Sequence, residues 1–221
     1  MKQITTDAFA RALLHVCELV IASEPQLTEL DNIVGDGDHG LGMKDGFTEL
    51  RTVLNETAFH NYHELTRTTG MALVKSMGGA SGVIFGTLFI GGHDALIAPD
   101  GSYLDTLDAD ALRRYFRQSA EAISHRGRAK ANDRTMLDAL LYAVAAMEQS
   151  ATDDVAELLR CGYEGALQGV EATKTMRPRL GRSKNFREQA IGWPDPGAVS
   201  TSIIFRGLWE EISKEKSEKR G

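Results

Sequence analysis

The sequence predicts an all-α domain, a closed bundle of about eight antiparallel helices. Three observations lead there. Apolar residues recur at helical spacing through nearly every segment, the joins between segments are short and rich in glycine or proline, and no stretch has a hairpin or strand–helix–strand pattern. At 221 residues a single core is feasible. Residues 1–213 are expected to form one domain, and the charged stretch from Lys214 to Gly221 a frayed tail.

Thr5-Thr6-Asp7 can cap a first helix, along which Phe9, Leu13, Val16, Cys17, Val20 and Ile21 share one face as far as Pro25. A short segment with Leu27, Leu30 and Ile33 then delivers Asp31 to a glycine-rich loop. Met43, Phe47, Leu50 and Leu54 mark the next helix, and a polar junction from Asn55 to Asn61 ends it. Tyr62 to Met77 forms another, stopped by Gly78-Gly79. Val83 to Ile97 is apolar enough for a buried strand, but its length and its glycines at 86, 91 and 92 favour a closely packed helix. Pro99 to Ser102 is a turn. Asp105 to Arg128 is amphipathic, with Leu112, Tyr115, Phe116, Ala120 and Ile123 on one face. Helices from Thr135 to about Gln149 and from about Thr152 to Met176 follow, then a basic stretch, Arg177 to Lys184. The rigid turn Gly192-Trp-Pro-Asp-Pro-Gly197 precedes a last helix ending near Ile212.

Composition narrows the function. A hydrophobic content of 42% and a charged content of 25% are ordinary for a globular chain, and the net charge of −6 argues against a general nucleic-acid or anionic-membrane surface. No run approaches the ~18 apolar residues of a membrane span, and the N-terminus lacks a signal peptide, so a cytoplasmic protein is expected. Cys17 and Cys161 lie in apolar helical patterns and read as buried thiols with no disulfide. No Cys/His spacing suggests zinc, and no Walker loop is present.

The chemistry concentrates at Asp31-Asn-Ile-Val-Gly-Asp36-Gly-Asp38-His39-Gly40-Leu41-Gly42. Three carboxylates this close repel by roughly 1 kcal/mol per pair at ~4 Å in water, and by more where solvent is excluded. A cation among them relieves that, and an all-carboxylate set suits a hard ion such as Mg2+ that keeps coordination sites for substrate phosphates. Read literally, Gly35-x-Gly37-x-x-Gly40 matches a dinucleotide fingerprint, but Asp36 and Asp38 would repel a bare pyrophosphate. An EF-hand starting at Asp36 fails, because Leu41 and Phe47 stand where it needs Gly and Glu. A solvated acidic turn is the plain reading, and three spaced carboxylates beside His39 weigh against it.

Three other loops add to this one. Gly78-Gly-Ala80-Ser81-Gly82 can present free N–H groups to phosphate at a helix start. Gly127 to Met136 is a basic loop that also feeds a helix, and the segment from Gly181 to Gly197 carries arginine. Singly, each is equally a plain turn. In an up-and-down bundle alternate loops meet at one end, so the four can converge on one rim as a metal-dependent nucleotide site.

Taken together, Gly35-Asp-Gly-Asp-His-Gly40, Gly78-Gly-Ala-Ser-Gly82, Asp133-Arg-Thr-Met-Leu-Asp138, Gly181-Arg182 and Asp195-Pro-Gly-Ala198 resemble, in order and over nearly the whole chain, the L subunit or L domain of dihydroxyacetone kinases. The resemblance implies an eight-helix barrel capped at one rim by ADP or ATP and two Mg2+ ions. It places the ions on Asp31, Asp36 and Asp38. It places the nucleotide on His39, Gly40, Leu41, Gly42, Ala80, Ser81, Gly127, Met136, Arg182, Asp195, Pro196 and Gly197. Gly42 departs from an asparagine frequent in that family, so a side-chain contact to the nucleotide is lost. No catalytic side chain of this chain is implied, since the ketose is held on a separate K-type subunit. The phosphoryl source is either ATP or a phosphotransferase-system M subunit, and the ketose is dihydroxyacetone or a relative such as erythrulose. A homodimer is left open. A contrasting expectation from the same motifs is a non-catalytic sensor of nucleotide state that docks on a transcription regulator.

Overall fold

A computed structural model describes residues 1–185 and 188–218. Nine α-helices are present among the described residues: α1 (Thr6–Ala22), α2 (Glu24–Val34), α3 (His39–Glu56), α4 (Tyr62–Ser76), α5 (Gly79–Ile90), α6 (Ala109–Gly127), α7 (Met136–Gln149), α8 (Val155–Thr173) and α9 (Pro196–Glu218). The ninth, beyond the eight expected, is α2. α1 stops at Ala22, ahead of Pro25 as its periodicity suggests, and Pro25 itself stands in the first turn of α2, where a missing N–H costs nothing.

A two-stranded antiparallel ladder joins β1 (Gln3–Thr5) to β2 (Thr106–Asp108), with Ile4 opposite Leu107. Three residues are too few to show strand alternation, so the sequence pattern did not reveal it. For the same reason α6 starts at Ala109, four residues later than its periodicity suggests. The helix expected to reach Ile97 stops at Ile90, and a 3-10 turn covers His93–Leu96. Gly91 and Gly92 there press so closely on α6 that a Cβ on Gly92 would lie 2.5 Å from the Tyr115 carbonyl oxygen.

Apart from α2, which carries on from α1, consecutive helices pack antiparallel around one apolar core, in which Phe9, Val16, Phe47, Leu65, Phe89, Phe116, Leu140, Leu159 and Phe205 are fully or almost fully buried. Close approach of α7 and α8 depends on glycine: a Cβ on Gly165 would stand 2.5 Å from the Tyr142 carbonyl oxygen. The final helix continues past Ile212. Glu215 pairs with Arg11 at 3.1 Å and Lys216 with Asp154 at 2.8 Å, so residues 214–218 are helix and not a frayed tail; 219–221 lie outside the described residues. Cys17 is buried, whereas Cys161 is only half-buried, and both are free thiols. Among the described residues no helix is long and apolar enough to cross a membrane.

The antiparallel order sorts the helix starts into two sets. β1, β2 and the first residues of α1, α4, α6 and α8 gather at one end, where Thr6 N–H donates to the Asp105 carbonyl and Tyr62 N–H to that of Leu104. The starts of α3, α5, α7 and α9 meet at the other end.

Candidate functional site

At that second end a cavity of about 490 Å³ opens between the four helix starts. A helix N-terminus carries unpaired N–H groups and a partial positive charge, so four of them around one cavity suit an anion. No side chain caps α3 or α5. In front of α5, Gly78 and Gly79 have φ values of +66° and +58°, and a Cβ at either would meet nothing within 4 Å. Glycine is used there for its left-handed backbone, which turns the chain into the helix with its first N–H groups exposed.

Carboxylate oxygens of Asp31, Asp36 and Asp38 all lie within 4.8 Å of one another. Asp31, in the last turn of α2, is buried and accepts the His39 N–H at 3.1 Å. Burial, then the charges of Asp36 and Asp31, hold the Asp38 carboxyl above the usual range. Arg182 Nε reaches Asp36 at 2.9 Å, from a side chain that is itself mostly exposed. Oxygen donors alone, pressed together against their mutual repulsion, fit a hard divalent cation. The His39 ring is pushed toward its neutral form by burial, against the pull of Asp31, and its Nε2 lies 2.8 Å from Ser200 Oγ.

The rest of the cavity divides into an apolar and a polar wall. Val83, Ile84, Phe85, Ile123, Leu180 and Met136 form the apolar part. In the polar part, Asp195 opens α9 by accepting the Ala198 N–H at 2.9 Å, and burial pushes its carboxyl up to about 6 even with Arg134 nearby. Thr135 caps α7 in a reciprocal box with Asp138.

Twelve of the fifteen residues expected at the site line this cavity: Asp31, Asp36, Asp38, His39, Ala80, Ser81, Gly127, Met136, Arg182, Asp195, Pro196 and Gly197. Gly40, Leu41 and Gly42 do not. They follow His39 into α3, whose winding turns them off the cavity. Gly40 is pressed onto Thr28 and the Glu24 carbonyl, Leu41 is 52% exposed, and a Cβ on Gly42 would find only the Met77 carbonyl oxygen, at 3.9 Å. Sequence reasoning missed Ile84, Phe85 and Ile123, which read as ordinary core positions, and Leu180, which lay within a basic stretch, and it gave Arg134 no role of its own. The one signal for Arg134 was a basic residue between Asp133 and a helix cap.

Residues 33–210 match the family model described as the DAK2 domain. The chain is 34% identical over 198 residues to the protein of Listeria innocua named PEP-dependent dihydroxyacetone kinase 1, ADP-binding subunit DhaL, covering 89% of this chain and 92% of that one. It is 35% identical over 195 residues to the Escherichia coli PEP-dependent dihydroxyacetone kinase, ADP-binding subunit DhaL, with 87% and 90% covered. The crystal structure of the dihydroxyacetone kinase from C. freundii in complex with AMP-PNP and Mg2+ superposes with a TM-score of 0.70 at 26% identity, over 94% of this chain and 34% of that one.

Proposed function

This chain belongs to the DAK2 domain family, and from that premise we propose that it is the nucleotide-holding, phosphoryl-donating subunit of a kinase for dihydroxyacetone or a related short ketose. The observation that carries the reading is the convergence of three carboxylates, two uncapped helix starts and an apolar wall on one cavity. A phosphate chain, its divalent cations and a flat aromatic base require those three surroundings in that combination.

In this reading Asp31, Asp36 and Asp38 hold two Mg2+ ions, which when bound neutralise the phosphate oxygens and lower the barrier to transfer. The first N–H groups of α5, at Ala80 and Ser81, face the phosphates, while the His39 N–H is held by Asp31, and Arg182 adds a positive charge above them. Ile84, Phe85, Ile123 and Leu180 enclose the adenine and exclude water from that side. Asp195-Pro196-Gly197 forms the facing wall. No side chain here is assigned as base or nucleophile; the chain works by positioning and electrostatics.

The ketose belongs to a separate K-type subunit. Relatives of nearly this length are named as subunits, and the C. freundii chain, of which this one covers 34%, is named as the kinase itself. The names PEP-dependent and ADP-binding support a nucleotide that stays bound and is recharged by a phosphotransferase-system M subunit. The test is mass spectrometry of nucleotide released from the purified chain before and after dialysis against EDTA. ADP that survives purification and leaves with EDTA is the expected result. Reversible uptake of Mg-ATP by an empty protein would shift the donor to ATP. Absence of adenine nucleotide binding in either state would sink the reading.

A further inference from the structure

Arg134 is the largest fully buried side chain in the described structure, at 1% exposure, and its backbone is left-handed with φ 61°. A non-glycine residue in that region gives up roughly 1–2 kcal/mol of backbone energy. Burial of its guanidinium adds a desolvation penalty. Such a residue persists where its surroundings over-determine it.

Its contacts show what it holds. Nη2 donates to the carbonyls of Trp193 at 2.9 Å, Ala190 at 3.2 Å and Pro194 at 3.4 Å. Nη1 stands 3.8 Å from Asp195 Oδ1, beyond hydrogen-bond reach, and neither Nε nor Nη1 has a hydrogen-bond partner among the described residues. Arg134 also lines the cavity, directly before the cap of α7. One side chain therefore ties the wall that opens α9 to the loop that opens α7. Among the described residues the wall is also tied to the end of α8, by Asp195 N–H to Thr173 Oγ1 at 3.0 Å and Gly192 N–H to the Lys174 carbonyl at 2.8 Å. Neither reaches across the cavity.

We propose that Arg134 is a positioning residue of the nucleotide site: its guanidinium clamps the 190–195 turn against the start of α7, and the Nη1 to Asp195 gap closes when the cavity is filled. The proposal rests on the nucleotide reading above for its ligand, and on geometry alone for the clamp. It accounts for the unpartnered Nη1 of a fully buried group, since in the filled site that donor has Asp195 to take up. It also accounts for arginine at this position, because one planar fork serves several carbonyls and a carboxylate together, which a lysine ammonium does not.

The test compares the full chain with Arg134→Met and Arg134→Lys. Mg-ADP affinity is measured by titration calorimetry on nucleotide-stripped protein, and the wall is probed by the rate of trypsin cleavage after Arg179 or Arg182. Arg134→Met is expected to weaken Mg-ADP by about ten- to a hundredfold, the range seen when a group supporting a site is removed, and to speed cleavage without nucleotide. Arg134→Lys is expected to fall between. Ile204→Val, a core change within α9, lowers the melting temperature and leaves the affinity unchanged, which separates positioning from general stability. A folded Arg134→Met with wild-type affinity and cleavage rate overturns the proposal. If Arg134→Met does not fold, wild-type values for Arg134→Lys overturn it equally. If wild-type protein binds no ADP, the functional reading fails, and an unchanged cleavage rate in Arg134→Met still refutes the clamp.

Discussion

At the end of the barrel that carries the β ladder, α1, α4, α6 and α8 each begin under a side-chain cap. Thr5 accepts the Ala8 N–H at 3.2 Å, Asn61 that of Glu64 at 2.9 Å, Asp108 that of Ala111 at 2.8 Å and Asp154 that of Glu157 at 3.1 Å. At the other end, among the described residues, no N-cap side chain opens α3 or α5, three carboxylates face one another, and the glycines at 37, 78, 79 and 181 adopt left-handed backbone. The first end satisfies its own donors and so contributes stability. The second leaves donors and charges open, which destabilises the empty protein and gives a ligand something to complete. Within the second end, α7 and α9 are capped, by Thr135 and Asp195, and they serve as walls.

The sharpest break of this contrast is Asp38→Asn. Removing a carboxylate from the cation set is expected to weaken Mg-ADP by more than about a hundredfold, beyond the cost of losing a merely supporting group. The same change is expected to raise the melting temperature in EDTA. The sign follows from linkage: burial and two neighbouring carboxylates raise the folded-state pKa of Asp38, so its ionisation opposes folding as pH rises above the usual range, and asparagine removes that opposition. Calorimetry and a melt on one preparation check both. Unchanged affinity would separate Asp38 from the cation.

Next in size is a pH effect in the nucleotide-free chain. Asp195 has an unfolded value near 3.8 and is pushed up to about 6 in the fold, chiefly by burial. Between those values the folded protein holds a proton that the unfolded chain has released, so stability falls as pH rises through that window and is level above it. At 1.36 kcal/mol per unit the shift corresponds to roughly 2–3 kcal/mol. Asp195→Asn can still accept the Ala198 N–H. The stability of wild type relative to this variant is therefore expected to decline by that amount from pH 4 to pH 7 in urea melts. A pH-independent difference would contradict it.

The smallest effect sharpens the comparison from the other end. Asp108→Ala deletes a cap far from the cavity and is expected to cost about 1 kcal/mol of stability. Mg-ADP affinity should stay within about twofold, since an isolated contact that far away does not couple to the site. A matching loss of affinity would mean that the two ends are not energetically separate.

Legibility in the sequence followed the same divide. The first cap and the helical faces were readable because they depend on residues three or four apart: Thr5 and Ala8, or Leu112, Tyr115 and Phe116 on one face of α6. Asp31, Asp36 and Asp38 were readable for a similar reason, lying within one short loop. Pro25 marked the end of α1 and hid the start of α2, because a proline that stops one helix can also stand in the first turn of the next. Ile84 and Ile123 could not be told from core, since an apolar side chain facing a cavity has the same periodicity as one facing a neighbour. Arg134 was hidden because its partners at 190, 193 and 194 are more than fifty residues away.

By itself, then, the sequence determined the helical class, the apolar faces of most helices with the cap of the first, and an acidic loop whose charges need a cation. Those are short-range properties, set within a turn or two by backbone sterics, hydrogen bonding and charge. Only the tertiary structure decided which loops share an end, which apolar residues leave the core to line the cavity, and which buried cation holds its wall. His39 and Ser200 meet at 2.8 Å across 161 residues of chain. A contact of that kind is fixed by the packing of whole helices, and no local pattern encodes it.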